Sequence, residues 1–311
     1  MNYSHPSQRK KRRKSKRYIN TKAFGILESF CWECSSVKNT SRPETATWLK
    51  ALSFSTINRA RYPPQAHHRP LLTNNPHELV PFLELNLYVD NRISHLHATA
   101  AAARSPALVS THLTHSALPQ SVKDSNCKIV YLCRNPRDVL VSRWYFASGI
   151  IAMDKAKSSS ISVEDAFEMF CAGFHLCGPY WEHLLEYWKA CLENPHKVLF
   201  LKYEDLKKEP VPQLKRLAEF LGYPFTPKEE EEDGVIQDIL QLCSFESLSN
   251  LEVNKAGEMD MGNILVERKL FFRRGEVGDS ANHLTPQMIQ HLDRITEQKF
   301  QGSGLTFQVS A

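Results

Sequence analysis

The sequence contains no run of about 18 consecutive apolar residues, the minimum for a helix to span a bilayer. Its basic N-terminus is not followed by an apolar stretch of secretory type, so no signal peptide is read and a cytoplasmic protein is the default expectation. No G-x-x-x-x-G-K-S/T segment occurs, which argues against a P-loop kinase. No repeat of 20–50 residues appears, which argues against a solenoid or propeller. Eight cysteines are spread over 311 residues. Only Cys31 and Cys34 form a C-x-x-C pair, and no second pair or neighbouring histidine completes a zinc site. The remaining six, Cys127, Cys133, Cys171, Cys177, Cys191 and Cys243, sit in apolar or helical contexts and read as reduced, small hydrophobes. Neither a disulfide framework nor a metal site is expected.

Acid is absent from residues 1–17, whereas Arg9–Arg17, RKKRRKSKR, holds eight basic residues and one serine. The formal charge is +5, so the rest of the chain carries 5 − 8 = −3. The alkaline character therefore belongs to a tail, and the body is mildly acidic. A solvated terminus is the simplest reading of the run; an import signal or a contact with an anionic surface is the alternative. The run has no interleaved aromatics, so nucleic acid is not expected as a partner.

Residues 1–22 read as a disordered basic tail, and residues 23–46 as an atypical segment with one short apolar run, Phe24–Trp32. From Thr47 the pattern becomes regular. Trp48–Arg59 has helical spacing, and residues 60–77, with four prolines, read as a loop. Leu108–Thr111 and Lys197–Lys202 read as strands. So does Lys128–Cys133, a continuous apolar run of the kind buried in a parallel sheet. Helices are expected over Val139–Ala147 (with Asp138 as N-cap), Val163–Cys177, Tyr180–Cys191 and Val211–Leu221, and from the acidic run Glu229–Asp233 through Leu242. Strands alternating with helices give an α/β class, a central and mostly parallel sheet flanked by helices.

Three segments carry the chemistry. In YLCRNPRDVLVSRW, Tyr131–Trp144, a buried strand ends at Arg134, a tight turn follows, and Ser142 lies on the next helix. A planar guanidinium, a hydroxyl and a helix N-terminus suit a dianionic phosphate monoester; pairing of Arg134 with Asp138 is the alternative. In FFRRGEVGD, Phe271–Asp279, two arginines and a glycine can wrap an anion. The segment before Trp48 lies where nucleotide-binding α/β folds place a phosphate, yet it lacks glycine and carries Pro43 and Glu44. His112, directly after Leu108–Thr111, stands where catalytic groups gather in open α/β sheets, with His115 as a rival.

Taken in order, TWLKAL, NRARYPP, THLTHSALPQSVK, CKIVYLCRNPRDVLVS, GPYWEHLLEYW, KVLFLKYEDLKKEP, LCSFESLSNLEVNK and FFRRGEVGD resemble the cytosolic sulfotransferase family, in its plant branch, from Thr47 to about Leu292. The resemblance implies one domain over residues 47–311, with a parallel sheet related to that of nucleotide kinases. It also implies 3′-phosphoadenosine-5′-phosphosulfate (PAPS) as donor without a metal, and a hydroxyl on a small organic acceptor such as a phenol, flavonoid or steroid. By matching position, Arg134 and Ser142 bind the 3′-phosphate, with Arg273, Arg274 and Gly275 as the second 3′-phosphate segment. Trp48, Tyr203 and Phe245 surround the adenine, Thr47 ends the 5′-phosphosulfate loop, and His112 is the base. A homodimer is left open. The acceptor pocket is expected in residues 60–97, 145–160 and 250–268.

The sequence departs from the family at Arg42–Trp48. Pro43 stands where the resemblance expects a lysine, and Thr45 and Ala46 replace a glycine and a threonine. No apolar strand is evident in Ser35–Ser41, which predicts a missing central strand. Two readings follow: residues 1–46 are a foreign segment joined to a genuine body, or the chain is a diverged member of impaired or absent catalysis.

Overall fold

The structure, a computed structural model, describes residues 23–28, 44–63, 66, 68–83, 107–153, 161–174, 178–231, 234–261 and 265–307. The basic run Arg9–Arg17, the Cys31–Cys34 pair, Pro43 and Cys177 lie outside these residues, as do parts of the three segments assigned to the acceptor pocket. The other five body cysteines are free thiols.

Four parallel strands form the central sheet: β1 (Ala23–Glu28), β2 (Ala107–Thr111), β3 (Ile129–Cys133) and β4 (Val198–Lys202), in the order β2-β1-β3-β4. The predicted missing strand is therefore present. Its slot is filled by Ala23–Glu28, which aligns Ala23 with Ala107 through Leu27 with Thr111 on one side, and Gly25 with Ile129 through Glu28 with Leu132 on the other. The short apolar run of the atypical segment was the sequence signal, and it lies well upstream of Ser35–Ser41. A sheet interior leaves no edge unpaired, and that requirement recruits the run.

The helices are α1 (Glu44–Asn58), α2 (Pro76–Leu79), α3 (Gln120–Asp124), α4 (Pro136–Met153), α5 (Val163–Cys171), α6 (Tyr180–Glu193), α7 (Tyr203–Lys208), α8 (Pro210–Leu221), α9 (Pro227–Glu231), α10 (Val235–Leu242), α11 (Phe245–Asn250), α12 (Glu252–Lys255) and α13 (Pro286–Phe300). A two-stranded antiparallel sheet, β5 (Glu258–Asp260) and β6 (Leu265–Glu267), stands apart from the main one.

Strand alternation divides β3 between two cores. Val130 and Leu132, with Leu199 and Leu201 of β4, pack under α1, α8 and α10 through Leu49, Leu52, Leu214, Leu217, Leu221, Ile236 and Ile239. Ile129, Tyr131 and Cys133, with Val198 and Phe200, pack under α4, α5, α6 and α13. Burial on both faces explains why β3 and β4 read as unbroken apolar runs. In α8, Leu214, Leu217, Ala218 and Leu221 recur at helical spacing and are fully buried, and Gly222 ends the helix at φ 83°. Truncating one of these leucines to alanine costs about 2–5 kcal/mol.

Several helix boundaries depart from expectation. Helix α1 starts at Glu44 and not at Trp48, the stretch 60–77 holds a 3₁₀ turn at Pro70–Leu72 and the start of α2, and α5 ends at Cys171. Two further departures have a local cause. The acidic run does not lead one helix into Leu242: α9 and α10 are separate, and Gly234 sits at φ 63° before Val235, a left-handed conformation that interrupts the helix. Asp138 is not an N-cap, because α4 starts two residues earlier at Pro136, where a fixed φ and a missing N–H suit the first helical position. Asn135 takes the capping role, its Oδ1 accepting the Arg137 N–H at 3.0 Å.

Candidate functional site

Parallel strands end at one edge of their sheet, so the residues that follow them converge. His112 follows β2, Arg134 follows β3 and Tyr203 follows β4. Because β1 leads to β2 on one side and the chain returns to β3 on the other, the connections diverge around the carboxyl end of β1. Such a divergence opens a crevice that holds ligands in open α/β sheets. Thr47 and Trp48 enter from the start of α1.

A cleft of about 200 Å³ adjoins the end of β4 and the start of α1, and Thr47, Trp48, Tyr203, Phe245, Phe272 and Gly275 all contribute to its wall. Trp48 and Tyr203 meet edge to face at 5.5 Å. The Tyr203 hydroxyl donates to the Gly275 carbonyl at 2.8 Å, which ties the end of β4 to the arginine loop. Gly275 adopts φ +64°, and a Cβ there would lie 2.6 Å from Phe245 Cδ2. Only glycine fits both the backbone and the space. The three aromatic positions and Gly275, drawn from four separate stretches of sequence, thus share one cavity.

Arg134 is buried to 1% exposure, and its guanidinium lies 4.6 Å from the ring centroid of Tyr203, one of the residues lining this cleft. Its Nη2 donates to Asp138 Oδ2 at 3.1 Å and to the Glu276 carbonyl. The pairing with Asp138 is thus real, and it coexists with close approach to the second arginine segment. Asp138 also accepts the Gly278 N–H at 2.8 Å and the Ser280 N–H at 3.0 Å. Burial alone would push its carboxyl pKa up, but the Arg134 charge and these N–H donors bring it below the usual carboxylate value. Arg273 and Arg274 both pair with Asp279, at 2.5 and 3.0 Å. Arg273 is mostly buried over Tyr145, whereas Arg274 is half exposed. Arg134 and Arg273–Gly275 therefore meet in one network, with Asp138 and Asp279 as its counter-ions. Ser142, on α4, is 2% exposed, and its Oγ has no hydrogen-bond partner among the described residues. A buried hydroxyl left in that state costs about 1–3 kcal/mol, so it marks a position suited to a ligand.

His112 is 1% exposed and stacks on Phe82 at 4.2 Å. A parallel bridge between Phe82 and Ser110 brings that ring alongside the end of β2. Burial, followed by the charges of His183, Lys50 and Arg143, pushes the pKa of His112 well below 6.5. The imidazole is therefore neutral at physiological pH, as a proton acceptor must be. His183 Nε2–H donates to the His112 carbonyl at 3.2 Å, and Tyr131 O–H donates to His183 Nδ1 at 3.1 Å. The rival His115 is half-buried and edge-on to Tyr187 at 5.5 Å.

Sequence reasoning missed Lys50, His77, His183 and Asp279. Lys50, His183 and Asp279 stand within quoted motifs, whereas His77 lies in the segment read as a loop; the contacts of Lys50, His77 and His183 reach across the fold and depend on burial. Among the described residues no group of three or more metal-ligating side chains is placed to hold a metal ion.

A family model described as sulfotransferase domain matches residues 46–304. The chain is 48% identical over 261 residues to cytosolic sulfotransferase 5 of Arabidopsis thaliana, spanning 84% of this chain and 78% of that one. It is 51% identical over 259 residues to cytosolic sulfotransferase 8 of the same plant, spanning 83% and 74%. A solved sulphotransferase from Arabidopsis thaliana is 36% identical and superposes with a TM-score of 0.63, over 93% of this chain and 81% of that one. A mouse sulfotransferase solved with PAP shares the fold, with a TM-score of 0.62 at 23% identity over 91% of this chain and 85% of that one. The chain belongs to the sulfotransferase family, in the company of the plant cytosolic members.

Proposed function

We propose that the chain moves a sulfuryl group from PAPS to the hydroxyl of a small organic acceptor, a phenol, flavonoid, steroid or similar alcohol. The cytosol is the compartment that the relatives' names suggest. The observation carrying the donor assignment is the convergence of an aromatic cleft with two arginine segments, joined through Tyr203, Gly275 and Glu276. Trp48, Tyr203 and Phe245 line the cleft with aromatic surface against which a flat ring can pack, and the absent side chain of Gly275 lets the Phe245 ring sit close to the backbone there.

When bound, the donor supplies the sulfuryl group and a bisphosphate leaving group. The chain's own residues do the rest. Arg134, Ser142, Arg273 and Arg274 offer cationic and hydroxyl donors to a ribose phosphate. Thr47 offers a hydroxyl from the cleft wall. His112, neutral because it is buried, accepts the proton of the acceptor hydroxyl at its imidazole, a role that contributes about 10²–10⁴-fold. Burial also keeps bulk water from competing with the acceptor.

The test is transfer from PAPS to a panel of phenols, flavonoids and steroid alcohols, followed by product mass. His112→Ala is expected to abolish transfer and to leave adenosine 3′,5′-bisphosphate affinity near wild type in calorimetry. Transfer that survives this change would remove His112 as the base. A wild-type chain that neither binds the bisphosphate nor transfers to any acceptor would overturn the reading.

A further inference from the structure

Lys50, the one lysine of α1, has a fully buried side chain one turn beyond Thr47. A lysine ammonium has three donors and no acceptor. Its 2.9 Å contact with His77 Nδ1 therefore has one direction, with Nδ1 accepting. The ring proton of neutral His77 must then sit on Nε2, which donates to Thr47 Oγ1 at 2.8 Å. Burial, and after it the Lys50 charge, keep His77 neutral. Asn75 fixes the ring's backbone through a capping box on α2, its Oδ1 accepting the His77 N–H at 2.9 Å. The same ammonium lies 3.4 Å from the Phe82 ring centroid, and Phe82 stacks on His112 at 4.2 Å with an interplanar angle of 21°.

One side chain thus reaches the histidine that holds the Thr47 hydroxyl and the ring that packs the His112 imidazole. We infer that Lys50 is a positioning residue that sets both ends of the transfer site, orienting Thr47 through His77 and seating His112 through Phe82. The inference rests on the proposed roles of Thr47 and His112 in sulfuryl transfer. Lys50 makes a cation–π contact in a desolvated site and a hydrogen bond from a charged donor, both among the stronger contacts of their kinds. Both exceed thermal energy, so the cluster holds one arrangement. Donation from Nε2 also polarises the Thr47 hydroxyl in the direction that makes it a better donor toward an anion.

Among the described residues, the groups that face His112 are Lys50 from α1, Arg143 from α4 and His183 from α6, with Tyr131 of β3 bonded to His183 and His77 of α2 across Phe82. Lys50, Arg143 and His183 each disfavour a further positive charge on the imidazole. Removing the Lys50 charge has a defined sign: the His112 titration moves up.

The experiment uses histidine-labelled full chain, wild type and Lys50→Met, a substitution of similar length without charge. Imidazole resonances are followed against pH in the absence of donor, with His112→Gln and His77→Gln used for assignment. The His112 midpoint is expected to rise by about one pH unit in Lys50→Met, the lower end of what a neighbouring charge exerts. In turnover, kcat is expected to fall about tenfold or more, as for displaced positioning groups. The acid limb of kcat/KM should move up with the His112 midpoint, and bisphosphate affinity should fall by about twofold to tenfold, because a displaced Thr47 hydroxyl loses its contact with the 5′-phosphate. A His112 midpoint that stays in place overturns the inference. Should Lys50→Met fail to fold, Phe82→Leu is read by the same titration: uncovering the imidazole is expected to raise its midpoint, and an unchanged midpoint overturns the inference. Because the titration needs neither donor nor turnover, a chain that proves unable to transfer sulfuryl groups would sink the functional reading without deciding the role of Lys50.

Discussion

Arg134 and Asp138, one helical turn apart at the start of α4, form a buried ion pair whose carboxylate also holds the arginine loop by the N–H groups of Gly278 and Ser280. The pair is therefore a clasp between the end of β3 and the segment that carries Arg273 and Arg274.

Asp138→Ala is expected to unfasten the clasp. It leaves Arg134 without its carboxylate and two loop N–H groups without their acceptor. Breaking a buried pair costs about 3–5 kcal/mol, so urea denaturation should show a loss of that order, and bisphosphate affinity should fall with it. The folded-state pKa of Asp138 is depressed, so the unfolded chain binds the extra proton. The stability it confers is present above about pH 3.9 and is lost as pH falls further toward the folded value. Asp138→Ala should therefore flatten the acid limb of stability below that pH. A variant as stable as wild type would contradict the clasp.

Ser142→Ala separates a ligand group from a structural one by the sign of its effects. The hydroxyl is buried without a partner among the described residues, so its removal should leave the free chain as stable as before or slightly more so. Affinity for adenosine 3′,5′-bisphosphate should instead drop by about 0.5–1.5 kcal/mol, the worth of one hydrogen bond. Thermal denaturation with and without the bisphosphate reads both. Equal losses in the two states would mean that the hydroxyl serves the fold.

Gly275→Ala places a Cβ 2.6 Å from Phe245 Cδ2 on a backbone at φ +64°. The left-handed conformation alone costs about 1–2 kcal/mol for a residue with a side chain, and the clash pushes Phe245 into the cleft. Bisphosphate affinity should fall at least tenfold, measured by calorimetry, with a smaller loss of thermal stability. Unaltered affinity would place the nucleotide elsewhere.

Three buried histidines set the chain's response to mild acid. His77, His112 and His183 all have depressed pKa values, led in each case by burial, and that of His183 falls to about 4. The unfolded chain therefore takes up protons that the folded chain refuses. Their contribution to stability is complete above about pH 6.5 and declines as pH drops through that value, by up to about 1.4 kcal/mol per pH unit for each residue. Calorimetric melting between pH 7.5 and 5.5 should show a steep fall in midpoint, and His183→Gln should reduce the slope. A melting temperature independent of pH over this range would contradict neutral burial.

Much of the site was legible because strand ends are legible. The apolar run Lys128–Cys133 stops at Arg134, Lys197–Lys202 stops before Tyr203, and Leu108–Thr111 stops before His112. An apolar run that meets a polar or aromatic residue at a strand's carboxyl end marks a crevice before any coordinate is known. The ordered motifs from Thr47 onward carried the family with them. Asp138 was misread as a cap because helix-start rules see only local neighbours, whereas its real partners, Gly278 and Ser280, lie 140 and 142 residues away. The break at Gly234 is a matter of one backbone conformation that sequence periodicity does not register.

The sequence by itself determined β2, β3 and β4, the main helices between Trp48 and Leu242, and which cationic and aromatic residues stand at their ends, because period, capping and apolar runs act over a few residues. Only the tertiary structure decided that Ala23–Glu28 is the central strand and that Lys50 meets His77 and Phe82. The physical reason is the same in both cases. An unpaired sheet interior and a buried ammonium find their partners by burial and hydrogen bonding across the fold, and those partners are set by which surfaces meet when the layers close.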